Sequence, residues 1–556
     1  MSAGLDPAGW GTREISALTV QARRGPKQAG RGTRHVVSTE HPLSTRAAVA
    51  TLRSGGTAAD ALVAAAILQT VIMPGTVTLA GTMGGLYFDP RAGRSHAFNA
   101  GFDVPVAETG DYDHRRDLTT GRSVLVPGML AGLYELHQRF GRLAWSDLLR
   151  PAIHFAMEGF EVGPEYAALL EHRRTDLLRR PAGRAIFAQD GDLPRVGSIL
   201  RQPQLGSTLE AIALDGPDHL YRGAWASDAV ETVVAAGGRL SVEDLARYRV
   251  RWPEPIRGTF LDTEFVTVPP PHWGGALTLL MLKVAEAARL HELQPTFTDA
   301  GSLGLALAVY RSASASGRSL AIDLESAGVE TVQRFYETLS SDECRRIATA
   351  LSGQELRVST PGANSHHIAA IDADGGMVTA THTVLSNYWG SAGLFVSGVS
   401  LNGAAYMRAL GAAPGGRVCE PLAPYMIFRE SGRSPYLAAG AIGNGLVCAN
   451  FQNTTNVIAH GLSLSESIAA PRFGSLGIHL RTMVPGDLQL VEGFPPQVLE
   501  AVETGGVRFL RRGPQDPLIP QGDLLIDSGY WTAVAIDDGQ LVAVSDPRHL
   551  GIGAGD

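Results

Sequence analysis

The chain has 556 residues, 44% of them hydrophobic, with a formal net charge of −8 and a pI near 6.1. That is enough apolar material for a sizeable core, and the acidic balance provides no basic patch for nucleic acid. No stretch approaches the ~20 apolar residues of a membrane span, and the three cysteines, Cys344, Cys419 and Cys448, match no metal-ligand or redox spacing and fit a reduced compartment.

In chain order, residues 1–33 are polar and Gly/Arg-rich, lack a signal-like apolar run, and are expected to form a flexible arm. Ser44 to Met73 reads as two helices broken at Gly55-Gly56. Leu86–Asp89 and Ser95–Asn99 form a predicted hairpin around Pro90-Arg91-Ala92-Gly93. Helices are predicted over Met129–Phe140 and from Ser146, as N-cap, to Glu158. A strand over Thr263–Val268 precedes Pro269, and Leu277–Leu290 reads as a long apolar helix. Ser352–Asn364 is loop-like and should be exposed to cleavage. Strands at Ile368–Ile371 and Met377–His382 follow. The 65 glycines and 32 prolines mark many turns, and there is no internal repeat.

The junction Asn364-Ser365-His366-His367-Ile368 joins a loop, a hydroxyl residue and a buried strand. A serine so held can attack the preceding carbonyl, pass through an ester, and emerge as a new N-terminus. Its freed α-amine, with an ordinary pKa of roughly 7.7–8.0, then takes the proton from its own hydroxyl. An Asn-Ser pair before a strand also reads simply as a turn. The adjacent His366 and His367 alternate faces on a strand and do not make a zinc pair. Gly390-Ser391-Ala392-Gly393 has the wrong spacing for a nucleophile elbow, and Gly440-Ala441-Ile442-Gly443 lacks the Lys-Ser or Lys-Thr of a phosphate loop.

Ordered motifs then accumulate: His41-Pro42-Leu43 with Gly55-Gly56-Thr57-Ala58-Ala59-Asp60-Ala61, Val126-Pro127-Gly128, Glu158-Gly159-Phe160, the run Ser241 to Tyr248, Pro269-Pro270-Pro271 with Gly274-Gly275, Ala470-Pro471-Arg472-Phe473 and Ser545-Asp546-Pro547-Arg548. Together they resemble the γ-glutamyltransferase family of N-terminal-nucleophile (Ntn) hydrolases, from about residue 38 to 550. The resemblance implies an α/β fold, a four-layer αββα Ntn-hydrolase sandwich. It also implies self-cleavage between Asn364 and Ser365, so that segments 34–364 and 365–556 become associated large and small subunits of one unit, working alone or as a dimer of such units. Ser365 falls on the catalytic threonine of the family, and serine lacks only the β-methyl that restricts χ1. Thr383 matches a threonine near the nucleophile. The oxyanion turn falls on Ile442-Gly443-Asn444-Gly445, with the amides of Gly443 and Asn444 as donors.

Departures bear on the substrate. The family arginine that pairs with a glutamate α-carboxylate falls on Gly101, beside Phe102, with no basic residue near it in sequence, and glycine cannot supply a bidentate pair. The carboxylate that holds the substrate amine is missing from Leu401-Asn402-Gly403-Ala404-Ala405-Tyr406-Met407-Arg408, and a Ser-Ser pair falls on Glu420-Pro421. A family asparagine falls on Leu385. His366, His367, Tyr388, Trp389, Asn402 and Glu420 join Gly101 and Phe102 as candidate pocket residues, and His272-Trp273 stands where the family has small polar ones. An aromatic pocket would suit a flat or unsaturated substrate.

The expectation is an autoprocessing hydrolase of a small molecule, without metal, cofactor, nucleic-acid or membrane partner, acting in the cytoplasm on a carbonyl substrate that is not γ-glutamyl. Carbon–carbon bond hydrolysis beside a keto acid, as in relatives serving alkylproline antibiotic pathways, is one form of it. The alternatives are a γ-glutamyl hydrolase or transferase acting on glutathione-like amides, and a non-processing binding scaffold.

Overall fold

The computed structural model describes residues 3–188, 191–323, 333, 335–351, 365–386, 388–410, 412–430, 432, 434–476, 488–512 and 526–556. Asn364 and the loop 352–364 lie outside the described residues. Thirteen strands build the centre: β1 (Gly30–Gly32), β2 (Val36–Thr39), β3 (Thr82–Asp89), β4 (Arg94–Ala100), β5 (Ile256–Phe260), β6 (Thr263–Thr267), β7 (His366–Ile371), β8 (Met377–Thr383), β9 (Tyr425–Arg429), β10 (Ser434–Ile442), β11 (Tyr530–Asp537), β12 (Gln540–Ser545) and β13 (Ile552–Gly555). They form a seven-stranded sheet in the order β1-β12-β11-β10-β9-β6-β5 and a six-stranded sheet in the order β13-β2-β7-β8-β3-β4. Every pairing in both is antiparallel.

The side chains sort into layers by the two-residue alternation of a strand. Ala369 and Ile371 of β7 share a core with Val266, Met426, Ala438 and Val534 of the other sheet. Ile368 and Ala370 face the opposite way, into a core with helices Pro42–Arg53, Ala58–Ile72 and Met129–Phe140. The seven-stranded sheet packs its outer face on helices Gly274–Ala287 and Leu446–Ile458. The result is the expected αββα sandwich.

Helix Ala58–Ile72 is buried along its whole length, as a helix apolar all round must be. Its start is fixed by a capping box in which Thr57 and Asp60 exchange hydrogen bonds, satisfying donors the first turn leaves open. The break at Gly55-Gly56 and the helix Met129–Phe140 stand as the sequence predicts. Ser146 is not an N-cap: the helix runs Trp145–Met157, with Ala144 at the cap position. The apolar helix runs Gly274–Ala287, not 277–290, because Gly274 lies tight against the Pro421 carbonyl and Gly275 against Thr267, a closeness that hides its first turn from a hydrophobicity reading.

The N-terminal arm is also corrected. Leu5 and Trp10 are buried, Thr12–Leu18 is helical, and β1 pairs with β12, Gly30 opposite Ala543. Lys27 Nζ donates to the carbonyls of Asp546 and His549. Tertiary pairing overrides the polar composition.

Candidate active site

Ser365 sits immediately before β7 and is 5% exposed. In the register of β7 with β8, His366 lies opposite His382, so one further step places Ser365 opposite Thr383. Thr383 in turn pairs with Thr82 of β3. Met83 pairs with Ala100 of β4, which carries the row on to Gly101. Cross-strand partners project to one face. Ser365, Thr383, Thr82 and Gly101 therefore form a line across four strands, with neighbours about 4.8 Å apart.

The second sheet closes over the nucleophile end. Thr379, level with Ala369, donates its hydroxyl to the Ala439 carbonyl of β10 at 2.9 Å. His367 lies against Gly440, where a Cβ would come within 2.2 Å of the imidazole. The sheet-to-sheet contacts at Thr379–Ala439 and His367–Gly440 thus run along β10 in the direction of the turn at Gly443-Asn444. Gly443 has a φ of 84°, a left-handed value that suits glycine. Helix Leu446–Ile458 begins just beyond it, setting a positive dipole end at this corner.

The two histidines separate as expected. The His367 Nδ1 and Nε2 lie 2.9 Å from Thr381 Oγ1 and 2.8 Å from Thr379 Oγ1, and burial, with His382 nearby, lowers its pKa to about 3. It is a neutral, pinned spacer between the sheets. His366 points to the helical face, its ring 6.0 Å from that of His382 and 6.1 Å from that of His549. None of the four ring nitrogens of His366 and His382 has a hydrogen-bond partner among the described residues. Burial holds both neutral. His549 behaves in the opposite way: its Nδ1 is 3.1 Å from Glu40 Oε2, and Glu40 lifts its pKa above the ordinary value against the effect of burial. Neither His366 nor His367 is placed to touch a substrate.

At the far end of the row, Glu420 is fully buried. Its Oε1 accepts from the Phe102 amide at 3.0 Å, its Oε2 accepts from Thr82 Oγ1 at 2.6 Å, and His272 Nδ1 lies 3.4 Å from Oε2. Burial pushes the Glu420 pKa up to about 7, while the Phe102 amide, the Thr82 hydroxyl and Arg417 pull the other way. Arg417 is a basic group that sequence proximity to Gly101 did not reveal. Its guanidinium is itself committed: Nε donates to Asp103 Oδ1 at 2.7 Å, Nη1 to Asn99 at 2.9 and 2.5 Å, and Nη2 to the Arg249 carbonyl at 2.9 Å. A Cβ on Gly101 would lie 3.0 Å from Arg417 Cδ and 3.3 Å from Glu420 Oε2. Gly101 is thus roofed by both.

Several candidates are structural. Asn402 spends its amide on Leu125 N–H, Leu125 C=O and Ala80 C=O. Trp389 is 1% exposed, packed against Gly75 and edge-to-face with Phe187 in the helical core, and Tyr388 is buried in the same cluster. Phe102 instead joins Val104, Leu385, Ala404, Ala405, Met407 and Val418 in an apolar cluster of its own. Thr82 and Arg417 are the residues the sequence reading missed. Arg417 stands three positions before Glu420, a one-face spacing only in a helix, and this segment is extended, so no pattern flagged it.

Among the described residues no group of three or more His, Cys, Asp or Glu could hold a metal ion, and no helix is long and apolar enough to cross a membrane. A family model described as Gamma-glutamyltranspeptidase matches residues 44–555. The chain belongs to the gamma-glutamyltranspeptidase family. It is similar to the Acylase ACY 1 proenzyme of Pseudomonas sp. (strain SE83), 29% identical over 509 residues, covering 87% of this chain and 89% of that one. It is similar also to the Glutathione hydrolase proenzyme of Escherichia coli (strain K12), 24% identical, covering 98% and 94%. Its fold matches the crystal structure of cephalosporin acylase from Bacillus halodurans with a TM-score of 0.80 at 23% identity, covering 96% of this chain and 98% of that one. As a gamma-glutamyltranspeptidase family member with an Ntn-hydrolase fold, the protein is a hydrolase.

Proposed function

We propose that this protein is a self-processing acylase whose nucleophile is Ser365 and whose acyl group is not γ-glutamyl. The observation that carries the reading is the contrast along one row: hydroxyls at Ser365 and Thr383, and at the other end a Gly101 roofed by Arg417 and Glu420 with an apolar cluster of Phe102, Leu385 and Met407 beside it. An amino-acid head group needs charged partners that are free to meet it, and Arg417 has spent four of its donors on its own chain. The acylase among its relatives supports the same direction.

In the mechanism proposed, cleavage after Asn364 frees the Ser365 α-amine and leaves associated segments 34–364 and 365–556. The amine accepts the Ser365 hydroxyl proton as the oxygen attacks the acyl carbon. Gly443 and Asn444 amides stabilise the oxyanion, and the ammonium returns the proton to the leaving amine as the C–N bond breaks. Water, deprotonated by the same amine, then releases the acid. Hydrolysis of a carbon–carbon bond beside a keto acid would use the same nucleophile and turn.

The test is intact mass and N-terminal sequencing of wild type and Ser365→Ala, followed by trapping of the acyl-enzyme with neutral acyl nitroanilides, a γ-glutamyl anilide and a vinylogous keto acid. Fragments beginning at Ser365 in wild type alone, with acylation by neutral acyl groups, are expected. An uncut wild-type chain would favour the binding scaffold. Release from the γ-glutamyl anilide at the neutral-acyl rate would overturn the acyl preference, and turnover of the keto acid alone would move the reaction to the carbon–carbon bond.

A further inference from the structure

The carboxyl of Glu420 is an unusual thing to find enclosed at the end of a row that starts at a nucleophile. It is held by a backbone amide and a hydroxyl, from Phe102 and Thr82, with the His272 imidazole 3.4 Å away. A guanidinium stem lies across Gly101 from it. The amide and the hydroxyl are the donors of a carboxylate receptor, contributed by two separate stretches of chain, and the occupant is tethered to the receptor itself. Thr82 fixes where the receptor faces: it pairs with Thr383, two strands and roughly 10 Å from Ser365, with its side chain on the same face.

We propose that Glu420 is an internal plug in a carboxylate subsite, and that it sets acyl specificity by excluding acyl chains that end in a carboxylate. This rests on the acyl-transfer reading of Ser365. With the plug in place, a second carboxylate arriving along the row meets an occupied subsite and no unspent donor, whereas a neutral chain meets the apolar wall of Phe102 and Leu385. With the plug removed, the Phe102 amide and the Thr82 hydroxyl are left without an acceptor, and a chain of matching length can supply one. Buried donors without an acceptor are costly enough to make that exchange favourable.

The experiment compares wild type, Glu420→Ser and Glu420→Gln on two nitroanilide series, one of neutral acyl groups from pentanoyl to octanoyl, the other of ω-carboxyacyl groups from glutaryl to suberyl. Wild type is expected to prefer the neutral series. Glu420→Ser should gain about tenfold or more in kcat/KM for one length of the carboxylated series, in proportion to a charge-assisted hydrogen bond, and lose that gain in high salt. Glu420→Gln, which keeps an acceptor for Phe102 and fills the space, should show no gain. Equal wild-type rates on the two series would overturn the proposal, and this measurement stands even if Glu420→Ser folds poorly. So would a Glu420→Ser protein that acylates normally with neutral groups but gains nothing on carboxylated ones. Should no form acylate at Ser365 at all, the acyl-transfer reading fails separately, and thermal unfolding with free glutarate decides the plug: stabilisation of Glu420→Ser but not of wild type supports it, and no difference overturns it.

Discussion

The two ends of the row across the six-stranded sheet are built on different principles. At the Ser365 end the groups come from strand neighbours and one turn, and their chemistry is that of short hydroxyls and backbone amides. At the Gly101 end the partners come from residues more than 300 positions apart: the Phe102 amide donates to Glu420 and Asp103 pairs with Arg417 in a buried knot. Under the proposed function, the comparison teaches that chemistry and recognition sit on separable parts of this site. The first end needs only that the backbone be in place, while the second can be refitted by exchanging side chains.

The largest way to break the comparison is at the nucleophile. Ser365→Ala should leave the chain uncut and lower turnover by about 10⁴-fold or more, measured by mass and steady-state rate, whereas Glu420→Gln should leave processing intact. Next is the turn: Gly443→Ala puts a Cβ on a residue at φ 84° and tilts its amide, so acylation should slow by about 10²–10³-fold with little change in KM. A pure recognition role for the turn would instead raise KM at constant kcat.

Stability sharpens the contrast further. Gly440→Ala drives a Cβ into the His367 ring, which cannot move because Thr379 and Thr381 hold both nitrogens. Denaturant unfolding should show a loss of about 1–3 kcal/mol. The smallest effect concerns Glu420. Its pKa is raised from 4.5 to about 7, so between those values the folded protein keeps a proton that the unfolded chain has lost. Stability from this group is therefore greatest below the lower value and declines as pH rises through the window. The Tm of wild type relative to Glu420→Gln should fall between pH 5 and 7.5. A flat difference would mean that Glu420 is already ionised in the fold.

Much of the nucleophile end was legible in the sequence because it obeys local rules. The apolar alternation of Ile368 to Ile371 marks a strand, the glycines of Gly443-Asn444-Gly445 mark a turn, and the hydroxyl of Ser365 stands at the boundary between loop and strand. The pocket residues were less legible. Asn402 and Trp389 have the composition of binding residues, yet one is used to hold Leu125 and the other to fill the helical core. Polar and aromatic side chains serve packing and recognition equally well, and only their partners tell which.

The ordered motifs along the chain determined the family, and the resemblance they carry implied the sandwich and pointed to Ser365 as the candidate nucleophile. Only the tertiary structure decided that the N-terminal arm is pinned by β1, that Thr82 continues the row from Ser365, and that Arg417 and Glu420 close over Gly101. Those facts depend on strand register and on contacts between segments far apart in the chain, where no local pattern reports which side chain will meet which.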